Sequence, residues 1–538
     1  MRRPLRSLLP ARLLYLLALA GGLAVIAGWY AFGAPGGAHD RYVEGVIGAP
    51  SRINPLFARS NDVDADLAAL IFSGLTRIDG DGAPRPDLAE RWEVTPDGLT
   101  YTFRLRPGVL WHDGAALDAA DVAFTIAQLQ AAGFRGPPAL AAQWTGVTVT
   151  VADPLTLVIE LPAPSAGFLA RTALGVLPRH LLTGLDPAQL AASPFNLAPV
   201  GSGPYRLAAL DARHAGLERY AGHRGGAAAL RAIELRFYAD RAALEAALAG
   251  GDVNAALLAE SPTVEGLAAV AARADLAATA LVRSGYTMLY LNNQRAPLND
   301  PSLRRAIAAA IDRRALLEGT GGYGAAGDGP IVPGSWAYAP GQWPAPFEAD
   351  ALFDAAAWPR GTDGVRARAG RALALELVTN ADPAREALAR AVAAQLGEHG
   401  ARVTVVSVGA AELIARRLEP RDYQLALFGW DTEVDPDPYG AWHSSQIPAP
   451  GRNVAGYRDA LADLLLEGAR VTLDVDERRE LYRRLSERFV EHAPSVVLLY
   501  PARVYVHPAA LTGLTDGLLF APADRFRGVE GWRLDGGG

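Results

Sequence analysis

The segment Leu425-Ala426-Leu427-Phe428-Gly429-Trp430-Asp431-Thr432-Glu433-Val434-Asp435-Pro436-Asp437-Pro438 runs from an apolar stretch into an aromatic residue and four carboxylates. If the chain stays extended past Trp430, side chains two apart share a face, and Asp431, Glu433, Asp435 and Asp437 line one wall. Such a wall can take an amine or a metal ion, or it can be a solvated turn stiffened by Pro436 and Pro438. A desolvated ammonium between carboxylates gains charge-assisted hydrogen bonds of about 1.5 to 3 kcal/mol each. A calcium loop of the EF-hand kind needs glycine at its sixth position, where Pro436 stands. Trp430 can stack on a ligand or pack as core.

Other residues that could do chemistry lack the context for it. Gly319-Thr320-Gly321-Gly322-Tyr323-Gly324 matches G-x-G-x-x-G but follows a helix pattern instead of a strand, so it reads as a helix stop and a loop. His112-Asp113 lies in a turn with no local nucleophile. His443 with Ser444 and Ser445 has no acid that local sequence assigns to it and no G-x-S-x-G elbow. The histidines show no metal-ligand spacing, and no catalytic residue, cofactor or metal site is expected.

The elements around the acidic segment alternate. Leu373 to Thr379 reads as a strand, Asp382-Pro383 opens a helix with Leu388, Val392 and Leu396 inward, and Arg402 to Val408 is the next strand. Ala410 to Leu418 reads as a helix and Tyr423 to Phe428 as a third strand. Strand-helix-strand units of this kind make parallel sheet, and ligands collect at the carboxyl ends of its strands. The acidic segment sits at such an end. Upstream, Arg231 to Tyr238, Arg241 to Leu248 and Val253 to Leu257 form a second strand-helix-strand unit, so the fold class is α/β. Two hairpins precede it, one turning at Pro96-Asp97-Gly98 and one at Asp153-Pro154, with a helix capped by Asp118 between them.

The chain has 538 residues, enough for two to four domains. Half of them are hydrophobic and a fifth charged, the balance of a folded protein. A net charge of −7 with scattered arginines and no lysine gives no basic footprint, so nucleic acid is not an expected partner. The absence of cysteine excludes disulfides, thiol chemistry and lipid attachment through cysteine. At the N-terminus, Arg2, Arg3, Arg6 and Arg12 precede an uncharged apolar run from Leu13 to Phe32, about the length that crosses a bilayer. Residues 1–12 then lie in the cytoplasm, 13–32 form a transmembrane anchor or a signal helix cleaved after Ala38, and 33–40 tether a body that lies outside the cytoplasm.

Several segments, in this order, resemble solute-binding protein family 5, the oligopeptide-, dipeptide- and nickel-type binding proteins of ABC importers. They are Phe72-Ser73-Gly74-Leu75-Thr76, Pro86-Asp87-Leu88-Ala89-Glu90-Arg91-Trp92, Asp97-Gly98-Leu99-Thr100-Tyr101-Thr102-Phe103 and Trp111-His112-Asp113-Gly114. Gly201-Ser202-Gly203-Pro204-Tyr205 is similar to the family's GTGPY turn, Asp300 to Ile307 to its D-x-R-V-R-x-A-I helix, and Gly429-Trp430 with its acidic tail to its GW-x-x-D segment. The resemblance implies a type II (cluster C) periplasmic-binding-protein fold with the ligand in a cleft at the hinge. Lobe I would comprise 41–75, 181–284 and 501–538, an inserted domain 76–180, and the other main lobe 285–500. It also implies that Gly429-Trp430-Asp431 pairs with a peptide as an added strand and that the acid three positions after the tryptophan, Glu433, holds its amino group. Glu433 stands where aspartate is usual, so Asp435 remains the alternative. The opposite wall would come from Ala58-Arg59-Ser60-Asn61, although Ser60 and Asn61 also suit a helix cap. The implied function is an extracytoplasmic, monomeric receptor passing a small peptide or other small solute to ABC permease and ATPase subunits. A membrane-tethered solute sensor is the alternative, and a hydrolase a more distant one.

Overall fold

The computed structural model describes residues 41–258, 268, 270–321 and 323–534. The apolar run at 13–32 and the tether at 33–40 lie outside the described residues; among the described ones no helix is long and apolar enough to cross a membrane.

Strands Ala374–Asn380, Arg402–Val408 and Leu425–Asp431 pair in parallel, as their alternation with helices predicts. Helix Pro383–Glu398 connects the first two; Asp382 caps it by accepting the Arg385 N–H at 2.9 Å, and Leu388, Val392 and Leu396 are buried. The second connection departs from the expected helix: after a single turn at Ala410–Glu412 it is a π-helix over Leu413–Leu418. Leu413 and Leu418 are both fully buried. Five residues apart, they would point about 140° away from each other on an α-helix, and the wider turn brings them to one side.

Gly285–Leu291 joins the other side of Leu425–Asp431 in antiparallel register, and next to it runs the 14-residue strand Ser495–Pro508. The first part of that strand pairs with Gly285–Leu291 and the second part with Leu276–Val282. Beyond it lie Ala255–Leu257, Tyr42–Ile47 and Ala232–Tyr238, a parallel set whose crossover helix is Arg241–Gly250. A single 12-stranded sheet therefore runs through both halves of the molecule, and among the described residues only Ser495–Pro508 and the Val282-to-Gly285 link carry it across.

The two predicted hairpins merge into one four-stranded sheet, Ala89–Val94, Thr100–Leu105, Thr156–Glu160 and Thr148–Asp153 in spatial sequence. Tyr101, Phe103, Leu157 and Ile159 are buried in a core shared with Tyr42 and Leu235 of the large sheet's first half and with Leu67 and Ile71 of the helix packed on it. The motif around Gly201 has a physical reason. A Cβ on Gly201 would stand 1.9 Å from the Ile71 oxygen, so only glycine lets this turn close on the end of helix Asp62–Ile71. His112 locks the same turn: Nδ1 accepts the Gly201 N–H at 3.2 Å and Nε2 donates to the Gly203 oxygen at 3.1 Å. Burial lowers the pKa of this imidazole to about 4, which keeps it neutral in the role.

Candidate functional site

The acidic segment begins inside the strand. Thr432 N–H donates to the Ser284 oxygen at 2.8 Å, in register with Tyr286 opposite Trp430. In an antiparallel ladder bonded pairs alternate, so the N–H and C=O groups of Gly429 and Asp431 point to the other edge. There the neighbouring strand Ala374–Asn380 stops pairing at Thr379 opposite Leu427. Among the described residues no strand continues past that point, and the backbone of Gly429 and Asp431 forms an open edge. Arg385 lies over it. A Cβ on Gly429 would meet the two guanidinium nitrogens of Arg385 at 2.9 and 3.1 Å, and the same guanidinium stacks 5.4 Å over the Phe428 ring. Arg385 Nη1 is buried with no hydrogen-bond partner, and burial lowers the guanidinium pKa.

The four carboxylates do not share a wall. The strand ends at Asp431, the chain bends, and the side chains part. Asp431 pairs with Arg283. Asp435 binds Arg478 of helix Val475–His492 through two hydrogen bonds, 2.7 and 2.5 Å, with the Arg478 side chain only 5% exposed. Asp437 accepts from Arg470 at 2.9 Å and from the Tyr439 N–H, while burial raises its pKa. Glu433 alone of the four has no hydrogen bond or ion pair among the described residues, and it is exposed on the rim of a cavity of about 110 Å³. Tyr286, Trp430, Pro330, Ile331, Arg452 and Phe520 also line that cavity. Trp430 packs edge-on against Phe428 at 5.2 Å and also lines the cavity.

These contacts correct part of the expectation. Asp435, offered as the alternative acid for an amine, is held by Arg478. Asn61 is a helix cap: its Oδ1 accepts the Val63 N–H at 2.9 Å and its Nδ2 donates to the Ala49 oxygen at 2.8 Å. Ser60 is exposed beside it, and neither residue lines the cavity. His443 does have an acid, Glu467 at 3.2 Å, which comes from a separate helix and was invisible in local sequence. Its Nδ1 accepts the Ser445 N–H at 3.0 Å and caps the turn Ser444–Gln446, and the ring is buried against Tyr439 away from the cavity. Arg385 was not singled out in the sequence. Its place in the first turn of a helix that follows a parallel strand was the signal available.

The family model for bacterial extracellular solute-binding proteins, family 5 (middle), matches residues 83–449. The chain belongs to this family. Protein XP55 of Streptomyces lividans is 30% identical over 515 residues, covering 93% of this chain and 92% of its own. Oligopeptide-binding protein AppA of Bacillus subtilis is 26% identical over 510 residues, 91% of each chain. The solved structure of AppA with a nonapeptide superposes with a TM-score of 0.64 at 26% identity, over 92% of this chain and 98% of that one. NikZ of Campylobacter jejuni in complex with Ni(L-His) superposes with a TM-score of 0.66 at 25% identity, over 92% and 99%. The type II binding-protein fold of family 5 is thus the fold of this chain, and its relatives are binding proteins.

Proposed function

We propose that this chain is the extracytoplasmic receptor of an ABC importer that captures a short peptide, or a similar solute bearing an amine and an acid, and hands it to the permease. The observation that carries the reading is the open backbone edge at Gly429 and Asp431, flanked by a carboxylate without a partner, Glu433, and a guanidinium nitrogen without one, Arg385 Nη1. A peptide laid along the edge gains main-chain hydrogen bonds that ignore its side chains, while Glu433 takes its amino group and Arg385 its carboxylate. AppA is named an oligopeptide-binding protein and NikZ is seen in complex with Ni(L-His), and the charged pair at the edge favours the peptide class.

The two chain crossings between the halves of the sheet supply the hinge, between residues 284 and 285 and between 500 and 501. The halves already touch beyond it, where Trp336 N–H donates to the Asp81 oxygen and Ala166 N–H to the Arg470 oxygen, both at 2.9 Å. Ligand binding shifts the population toward the closed arrangement by its difference in affinity for the two. The apolar run at 13–32 tethers the receptor to the membrane, and the receptor acts as a monomer. Native mass spectrometry of the chain purified without refolding tests the reading. A ladder of co-purified peptides is the expected result; a metal ion or a sugar alone would refute the peptide class.

A further inference from the structure

Away from the hinge, the turn Ser165-Ala166-Gly167-Phe168 carries a glycine that its own backbone does not need. The turn follows strand Thr156–Glu160 and is fixed by its own surroundings: Phe168 is fully buried, and the Phe168 N–H and the Tyr101 hydroxyl both donate to the Ser165 oxygen, at 3.0 and 3.3 Å. Gly167 has φ −80° and ψ 5°, ordinary values for the third residue of a type I turn that any residue adopts. A Cβ at this position would nevertheless stand 2.7 Å from Cγ of Asp435 and 2.8 Å from its Oδ2, and the three atoms nearest to it all belong to Asp435. The demand for glycine comes from the other half of the molecule.

Asp435 cannot step aside, because Arg478 holds both of its oxygens. The Arg478 guanidinium also lies 5.2 Å over the Trp336 ring, and Arg479 Nε donates to the Trp336 oxygen at 2.9 Å, so Asp435 and Trp336 form one fixed corner on helix Val475–His492. Three turns around the four-stranded sheet converge on that corner. The Ala166 N–H donates to the Arg470 oxygen, and the Asp81 oxygen accepts the Trp336 N–H, both at 2.9 Å. In the hairpin turn Pro96-Asp97-Gly98, a Cβ on Gly98 would lie 3.5 Å from the Leu473 side chain, in the link between the helices that carry Arg470 and Arg478. Backbone hydrogen bonds gain little net free energy over bonds to water, so two of them make a contact that can open and re-form.

We propose that the four-stranded sheet with its turns is the latch of the closed receptor, and that Gly167 is the residue that lets it shut. The latch rests on the hinged-receptor reading above and adds a task for the segment 76–180. A side chain at position 167 is accommodated while the halves are apart and collides with Asp435 only when they meet. Asp435 lies two residues beyond Glu433, so the loop proposed to take the solute's amino group is the loop that the latch closes on.

Pulsed electron–electron double resonance on the full-length chain in detergent tests this. The chain has no cysteine, so Glu93→Cys and Arg484→Cys, both at exposed positions and on opposite sides of the contact, take the only two spin labels. In the protein as purified, Gly167→Val is expected to lower the ratio of short to long label distances by about tenfold or more against the labelled parent, and Gly167→Ala to lower it less. Ala166→Pro is the independent variant: proline suits the second residue of a type I turn and removes the N–H that bonds Arg470, so it too is expected to favour the long distance. Distances unchanged in Gly167→Val and in Ala166→Pro, while the parent's lengthen once its co-purified solute is stripped by unfolding and refolding, would overturn the latch and leave the hinge standing. Distances that are the same in the parent with and without solute and in every variant would overturn hinge and latch together. Loss of the folded state in Gly167→Ala, read by circular dichroism, would show that the glycine serves folding and would overturn the latch as well.

Discussion

Arg478 grips both oxygens of Asp435 and so takes that acid of the loop into a fixed internal pair. The Arg478 guanidinium also donates to the Ala469 oxygen and lies 5.2 Å over the Trp336 ring, so the bridge ties the acidic loop to two helices and to the segment before them. Asp435 fastens the loop, whereas Glu433 has no ion pair among the described residues.

Replacing Asp435 by asparagine leaves Arg478 buried beside a neutral partner. Breaking one side of a buried ion pair costs about 3 kcal/mol. Urea denaturation followed by circular dichroism should show a loss of that size for Asp435→Asn and a change below about 0.5 kcal/mol for Glu433→Gln.

Binding should respond in the opposite order. Glu433→Gln is expected to weaken an amine-bearing peptide by more than tenfold, about 1.4 kcal/mol, while an N-acetylated peptide of the same sequence binds both proteins alike. Calorimetry on the two peptides checks this, and equal loss for both would remove the amine role from Glu433.

The His112 lock predicts a pH dependence. Its folded pKa of about 4 lies below the ordinary 6.5, so between these values the unfolded chain binds the proton that the folded chain refuses. Stability is therefore complete above about pH 6.5 and falls as the pH drops toward 4. His223, His492 and His507 are displaced downward as well, burial being the first cause in each. His112→Gln should make the decline across this window shallower by up to one proton, measured as unfolding free energy against pH.

Much of the scaffold was legible because its signals are local. The caps at Asp118, Asp300 and Asp382 occur where the side chain precedes a helix pattern, and each accepts a backbone N–H in the structure. The strand-helix alternation from Leu373 onward placed the acidic segment at a strand's carboxyl end. The fate of its charges was not legible. Asp431, Asp435 and Asp437 find Arg283, Arg478 and Arg470, which come from the link after strand Leu276–Val282 and from two later helices. In a chain whose basic residues are all arginine and are spread throughout, no spacing marks these three as partners. The extended wall failed for the same reason: three distant arginines draw the carboxylates apart once the strand ends. Asn61 shows the converse, a local cap that the family resemblance placed on the ligand wall.

The open edge at Gly429 and Asp431 is the centre of the account, and amide hydrogen exchange reads it directly. The chain loaded with its co-purified solute should protect the Gly429 and Asp431 amides relative to the chain stripped of solute by unfolding and refolding, with Trp430 protected in both because it already pairs with Tyr286. Equal exchange at Gly429 and Asp431 with and without bound solute would contradict strand addition at this edge.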